Sequence, residues 1–264
     1  NDYPLYFDGM NEKGLCMAGL NFVGNSVYNE YRGEKENIAS FEFIPYILSN
    51  CSSVGEARRL LQNLNITNTS FCDGLSVSSL HWMISDKDES ITVEAVRDGL
   101  RVYTNSVGVL TNNPPFEYQI KNLRRFSCLS PHSYESAKAG KVSFYTRGMG
   151  AVGLPGDYTS QGRFVRAAFV RSCSSQKQTE EESVTQFFHI LNSVSVPEGA
   201  CVTEKGEYDK TLYSACMSAE KGIYYYKPYE SHSLFAVDMN REDKNSAQLV
   251  CFPFRKDENI RRLN

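Results

Sequence analysis

Stretches of alternating apolar and polar residues are interleaved with stretches of helical period along this whole chain. Between Tyr6 and Phe22, two apolar runs flank Asn11-Glu12-Lys13-Gly14, a pattern that predicts a hairpin turning at those four residues. Two helices are expected next. The second opens on Ser53, with Glu56 at the spacing of a capping box, and Val54, Ala57, Leu60, Leu61 and Leu64 keep to helical spacing. Strands follow at Leu80–Ile84, Ile91–Val96 and Leu100–Tyr103, with Asp98-Gly99 as the turn between the last two. A third helix is predicted from about Tyr118 to Arg125. A fourth, starting after Thr159 or Ser160, carries Phe164, Val165, Ala168 and Phe169 on one side. A fifth opens on a second capping box, Thr179 with Glu182, and puts Val184, Phe187, Phe188, Leu191 and Val194 on one face. The end returns to strands at Leu212–Met217, Ile223–Tyr226 and Leu234–Met239. A charged turn, Asn240 to Lys244, precedes a last predicted strand at Leu249–Phe254.

Strands therefore come in antiparallel-looking groups separated by groups of helices, which is an α+β layer pattern rather than the strict alternation of a parallel sheet. No internal repeat or low-complexity linker divides residues 1–264, whose length suits one large domain or two small ones. With 41% hydrophobic residues, 16 Tyr and 15 Phe, the chain has ample material for a buried core. A net charge of -3 gives no basic surface for nucleic acid, and no apolar run is long enough to cross a bilayer. The eight cysteines are scattered with no C-x-x-C pair, which favours reduced thiols in or near the core over a disulfide framework or a zinc site. His81, His132, His189 and His232 show no metal spacing, and no metal or cofactor is expected.

Among candidate chemistries, a serine triad lacks its G-x-S-x-G signature. The glycines of Arg147-Gly148-Met149-Gly150-Ala151-Val152-Gly153 miss the dinucleotide spacing and read as a flexible loop. Three polar positions stand out. Asn21 ends the apolar run Leu15–Leu20, where asparagine suits a strand poorly. Asn112 and Asn113 follow Val109-Leu110-Thr111 and precede Pro114-Pro115. Arg163 falls in the first turn of a helix, where a cation opposes the helix dipole. Each also has a purely structural reading. Asn21 would satisfy a strand end, Asn112 would form an Asx turn before the prolines, and Arg163 would pair with an acid such as Asp157.

The run Asn11-Glu12-Lys13-Gly14-Leu15 followed by Ala18-Gly19-Leu20-Asn21-Phe22 resembles the choloylglycine hydrolase family, which contains bile salt hydrolases and penicillin V acylases. So do Leu80-His81-Trp82-Met83-Ile84-Ser85-Asp86, Gly108-Val109-Leu110-Thr111-Asn112-Asn113-Pro114, Gly153-Leu154-Pro155-Gly156-Asp157, Phe187-Phe188-His189-Ile190-Leu191, Glu220-Lys221-Gly222-Ile223-Tyr224-Tyr225-Tyr226 and Ala236-Val237-Asp238-Met239-Asn240, in that order. The resemblance implies an N-terminal-nucleophile hydrolase fold, a four-layer αββα sandwich with two antiparallel sheets. It implies amide hydrolysis by a mature N-terminal cysteine whose own α-amine acts as base. Carried over by motif, Asn21 supplies a backbone N–H and Asn112 its side-chain amide to an oxyanion hole, and Arg163 stabilises negative charge. Asn21, where penicillin V acylases of the family resemble the motif with tyrosine, favours the bile-salt branch. The substrate implied is a bile acid amide-linked to glycine or taurine. Phe7, Phe71 and Leu75 lie in segments that resemble the family's pocket lining. A homotetramer, a bacterial source and a cytoplasmic location are further implications.

The family pattern also opens with a nucleophilic cysteine, an arginine and an aspartate, which match nothing here. About sixty residues of that pattern would precede Asn1, including central strands. Asn1 carries no thiol or hydroxyl, and Cys16 is expected inside a strand, without a free amine. The expectation is that these residues alone are poorly soluble and inactive for want of the nucleophile. The alternatives are a penicillin V acylase and a binding-only remnant that keeps a sterol pocket.

Overall fold

The computed structural model describes residues 3–134 and 138–264. Its first half contains β1 (Asp8–Met10), β2 (Cys16–Asn21), β3 (Glu36–Ala39), α1 (Phe43–Asn50), α2 (Val54–Leu61), β4 (Leu64–Thr67), β5 (Leu80–Ser85), β6 (Ser90–Val96), β7 (Gly99–Thr104) and α3 (Phe116–Leu123). Its second half contains β8 (Lys138–Ala139), β9 (Val142–Ser143), α4 (Ser160–Cys173), α5 (Glu180–Asn192), β10 (Tyr213–Ser218), β11 (Ile223–Pro228) and β12 (Phe235–Asp238).

The predicted hairpin is β1–β2, and Asn11 explains why the chain turns there. Its Oδ1 accepts from the Lys13 and Leu15 amides, while its Nδ2 donates to the Leu48 and Cys51 carbonyls at the end of α1. One side chain therefore shapes the turn and ties it to a helix. Gly14 adopts a φ of 84°, and a Cβ there would lie 3.1 Å from the Ala219 carbonyl between β10 and β11. Glycine is needed on both counts.

Strands β1, β2, β5, β6 and β7 form an antiparallel sheet in the order β1-β2-β5-β6-β7. Register puts Met17 opposite Ile84, Gly19 opposite Trp82, and Val93 opposite both Trp82 and Val102. These residues share one face, which packs on Phe43, Ile44 and Ile47 of α1 and Val54, Ala57 and Leu61 of α2 as the main core. The opposite face of β1 meets a second antiparallel sheet, β10-β11-β12, where Tyr213 and Tyr224 donate to the Asp8 carboxylate. Behind that sheet, Val184 and Phe188 of α5 pack with Cys216 and Tyr225. The order helix, sheet, sheet, helix is the αββα arrangement.

The capping box at Thr179 closes with both arms, Glu182 N to Thr179 Oγ1 and Thr179 N to Glu182 Oε2. At Ser53 only one arm forms. Ser53 accepts from Glu56 N, but the Glu56 carboxylate binds Ser52 N and Oγ instead. Three other expectations are corrected. Leu249–Phe254 forms no strand, because no ladder partner is paired with it among the described residues; it lies extended, with Phe254 stacked on Tyr226. Phe187 faces solvent, 40% exposed, while Phe188 takes the core position. The Gly148–Gly153 loop is not free: Gly150 is buried, and its carbonyl accepts from Ser130 N. The parallel pair β3–β4 had no counterpart in the pattern reading.

Candidate active site

Beyond β1, the face of the large sheet turned away from α1 and α2 changes character. His81 on β5 and Thr92 and Glu94 on β6 are polar yet fully buried, at 0%, 0% and 1% exposure. They lie beneath the segment from Asn105 to Phe116 that links β7 to α3. Within it, Asn105 Nδ2 donates to Thr92 Oγ1 and to the Val109 carbonyl, holding the chain against the sheet. The Thr111 carbonyl bonds His81 Nε2 at 2.7 Å, and Thr111 Oγ1 donates to the Ser160 carbonyl at the start of α4. Asn113 Nδ2 donates to the Val23 carbonyl and its Oδ1 accepts from Asn25. Asn112, fixed from both sides, hangs over the end of β2.

There its Nδ2 donates to the Asn21 carbonyl at 3.1 Å. Arg163 Nη2 donates to Asn112 Oδ1 at 2.8 Å, so the network sets which end of the amide is oxygen. Arg163 Nε is held by the Tyr158 carbonyl. The three sequence candidates thus form one chain, Arg163 to Asn112 to Asn21. Asn21 does end β2, but the structural alternatives for Asn112 and Arg163 are not seen among the described residues. Asn112 does not bond back to its own turn, and Asp157 instead bonds Thr159, whose hydroxyl accepts from Gly162 N as the N-cap of α4. Gly162 leaves room for the Asp157 carboxylate, which a Cβ there would displace.

Two features make this spot receptive to negative charge. The register of β2 against β5 has Phe22 N donating to the Ser79 carbonyl, so by the alternation of antiparallel bonding the Asn21 N–H points the other way. On that side β1 has begun only at Asp8, and the Asn21 N–H has no acceptor among the described residues. The second feature is charge. Arg163 makes no carboxylate contact within ion-pair distance among the described residues. Burial pulls its pKa below the ordinary arginine value, opposed by Asp209 and reinforced by Arg166. Guanidinium stays charged through such shifts. A half-buried cation, a free backbone N–H and an amide with one N–H to spare converge, as groups that stabilise a developing oxyanion do.

A family model described as linear amide C-N hydrolases, choloylglycine hydrolase family, matches residues 1–252. The chain belongs to the choloylglycine hydrolase family. Among members, the bile salt hydrolase/transferase of Lactiplantibacillus plantarum is 47% identical over 264 residues, 99% of this chain and 82% of that relative. The bile salt hydrolase/transferase of Clostridium perfringens is 40% identical, over 100% of this chain and 82% of that relative. A solved structure of a mutant conjugated bile acid hydrolase from Clostridium perfringens superposes with a TM-score of 0.93 at 39% identity, covering 100% of this chain and 82% of its own. The penicillin V acylase of Agrobacterium tumefaciens, TM-score 0.71 at 24% identity over 90% of this chain and 67% of its own, shares the fold.

Choloylglycine hydrolase chemistry needs a nucleophile. Cys16 sits in β2 with its nitrogen in a peptide bond, and burial with Asp86 nearby pushes its thiol up to about 11. Asn1 lies outside the described residues. A second strand thiol, the buried Cys216, is pushed up to about 12 by burial. Brief alkylation at pH 8 with mapping by mass spectrometry is therefore expected to modify the exposed Cys72, Cys128, Cys173 and Cys251 and to leave Cys16 and Cys216 unmodified. Early labelling of Cys16 would contradict that placement.

Of the three apolar candidates, Phe7 is the one whose backbone joins β2. The Phe7 carbonyl accepts from Gly19 N, two residues before Asn21, and the Phe7 side chain is 74% exposed. Leu75 is exposed as well, while Phe71 packs edge-on against Phe41 at 5.2 Å and is tilted against Tyr3. A cavity of about 400 Å³ lies elsewhere, lined by Ile223, Tyr225, Ala236 and Val237 among others, and none of its lining residues belongs to the site. Sequence reading missed His81, Glu94 and Thr111. The available signal was weak: His81 and Glu94, with Thr92, are polar positions inside strands rich in apolar residues. No described helix is long and apolar enough to cross a membrane.

Proposed function

We propose that the chain is a bile salt hydrolase, which cleaves the amide of glycine- or taurine-conjugated bile acids. The observation that carries this reading is the Arg163–Asn112–Asn21 chain of hydrogen bonds beside the unpartnered Asn21 N–H. A scissile carbonyl seated there would place its oxygen against the Asn21 N–H and the spare Asn112 N–H as a thiolate adds to the carbon. Negative charge then moves from sulfur to oxygen, and Arg163 faces it throughout. The nucleophile in this reading is a cysteine at a mature N-terminus. Its α-amine, with a pKa near neutrality, takes the thiol proton and returns it to the leaving amine of glycine or taurine. Each of the eight cysteines of this sequence is preceded by other residues, so its nitrogen lies in a peptide bond. Two names support the substrate class: bile salt hydrolase/transferase for a relative at 47% identity and conjugated bile acid hydrolase for a fold match at TM-score 0.93. Exposed Phe7 and Leu75, with the Tyr3–Phe41–Phe71 aromatic group, offer apolar surface for a sterol body.

The test is ninhydrin detection of glycine or taurine after incubating the full-length protein with conjugated bile salts, beside penicillin V as competitor substrate. Release of amine from bile salt in excess of penicillin turnover is expected. Preference for penicillin V would move the chain to the acylase branch. Absence of turnover together with saturable binding would favour a binding-only role. Release of amine by these 264 residues on their own would overturn a mature N-terminal cysteine as the nucleophile. Assembly as a homotetramer and residence in a bacterial cytoplasm complete the proposal, with sedimentation as the check on assembly.

A further inference from the structure

We propose that His81, braced by Glu94, is a positioning residue that sets the spacing of the two oxyanion donors. The inference rests on the amide-hydrolase reading above and adds a device beneath its site.

The observation is where the imidazole sits. His81 lies on β5 directly opposite Leu20, the neighbour of Asn21. Its ring stacks on Phe22, the residue after Asn21, with centroids 4.3 Å apart and planes within 6°. Its Nε2 meets the carbonyl of Thr111, the residue before Asn112, at 2.7 Å. One rigid, fully buried ring therefore touches the chain neighbour of each donor. Asn113 also ties the two segments, through the Val23 carbonyl and Asn25, but it does so two and four residues beyond Asn21. Asn112 itself bridges them from above, through Asn21 O. The ring thus fixes the distance across which that short bridge must reach.

Glu94 fixes the ring. A carbonyl only accepts, so Nε2 carries the proton in the bond to Thr111. The contact of Nδ1 with Glu94 Oε1 at 3.3 Å is then attractive only with a proton between them, as an imidazolium–carboxylate pair or its neutral equivalent. The same Oε1 accepts from Phe116 N at 2.7 Å, the first amide of α3, whose N-cap residue Pro115 provides no side-chain acceptor. Thr111 is gripped further by Ser160 and Gln119 through its hydroxyl. That links the ring's anchor to the helix that carries Arg163.

Stability alone does not account for such a pair. Burying two ionisable groups is costly, and apolar residues of the same shape often serve as well or better. What an apolar pair could not do is hold the Thr111 carbonyl at a fixed point. Placement errors of about 1 Å remote from the chemistry can cost a hundredfold in rate.

Three variants of the full-length protein test this: His81→Asn, His81→Gln and Glu94→Gln. The glutamine amide reaches where Nε2 stood, and the asparagine amide does not. Initial rates on a glycine-conjugated bile salt, well below every variant's unfolding midpoint, give kcat and KM separately. H81N is expected to lose about 10- to 100-fold in kcat with KM within about threefold, and H81Q to recover about tenfold of that loss. E94Q should fall between H81Q and the parent. A merely structural role would lower the melting temperature and leave kcat untouched. Folded H81N with the parent's kcat, a loss wholly in KM, or H81Q no better than H81N would overturn the proposal. Where H81N does not fold, H81Q and E94Q decide it, and the parent's kcat in both would be fatal. A parent protein that releases no glycine sinks the hydrolase reading first and takes the positioning role with it.

Discussion

Asn112→Ala in the full-length protein is expected to lower kcat on a conjugated bile salt by about 10²- to 10³-fold, roughly 3–4 kcal/mol of transition-state stabilisation. The side chain does two things at once. Its Nδ2 is bound to the Asn21 carbonyl with one N–H left for an oxyanion, and its Oδ1 holds the Arg163 guanidinium at 2.8 Å. Alanine removes the donor and frees the cation to drift. KM should change little, because the oxyanion exists only along the reaction path. The fold should survive, since Thr111 and Asn113 keep their own bonds to the Ser160 and Val23 carbonyls. Amine release under single-turnover conditions reads the effect, with circular dichroism as control. A loss under tenfold with intact structure would remove Asn112 from the chemistry.

Trp82→Ala should be the most damaging single change to stability, by about 3–5 kcal/mol. Trp82 is fully buried on β5, 4.4 Å from the Phe43 ring of α1 and 6.4 Å from Tyr28. It also lies over Gly19, where a Cβ would come within 3.2 Å of the indole. Strand, partner strand and helix all close on one side chain, so its removal leaves a cavity that none of them can collapse to fill. Against a typical total of about 5–15 kcal/mol, that loss would leave little margin. Trp82→Phe should cost less than alanine, partly because the indole N–H is buried without a partner among the described residues. Urea unfolding followed by circular dichroism measures both, since the variants lack the chain's one tryptophan. An unfolding free energy for W82A within about 1 kcal/mol of the parent's would contradict the packing described.

Local signals in the sequence carried furthest. The Asn11–Gly14 turn and the Ser53 and Thr179 caps were legible because each is decided by residues within four positions of one another. Pairings decided at long range were not. β3 and β4 are four residues each and pair in parallel across 28 positions, a signal too short to stand out. Leu249–Phe254 has strand composition but no partner strand among the described residues, and composition cannot show that. Phe187 and Phe188 are adjacent and equally apolar, so helical spacing alone could not say which faces the core. At the site, the types of Asn21, Asn112 and Arg163 marked them as odd, and family motifs assigned roles; their connection emerged only from three-dimensional placement. The pairing of His81 with Glu94 was not legible because they are 13 residues apart on separate strands and face each other only through the β5–β6 register.

A double-mutant cycle on kcat, with Arg163→Gln, Asn112→Ala and both together, reads most directly whether the cation and the amide hold one developing charge. Strong coupling is expected, the double variant being little slower than the worse single variant. Losses that simply multiply would contradict a shared anion site, whatever reaction the protein performs.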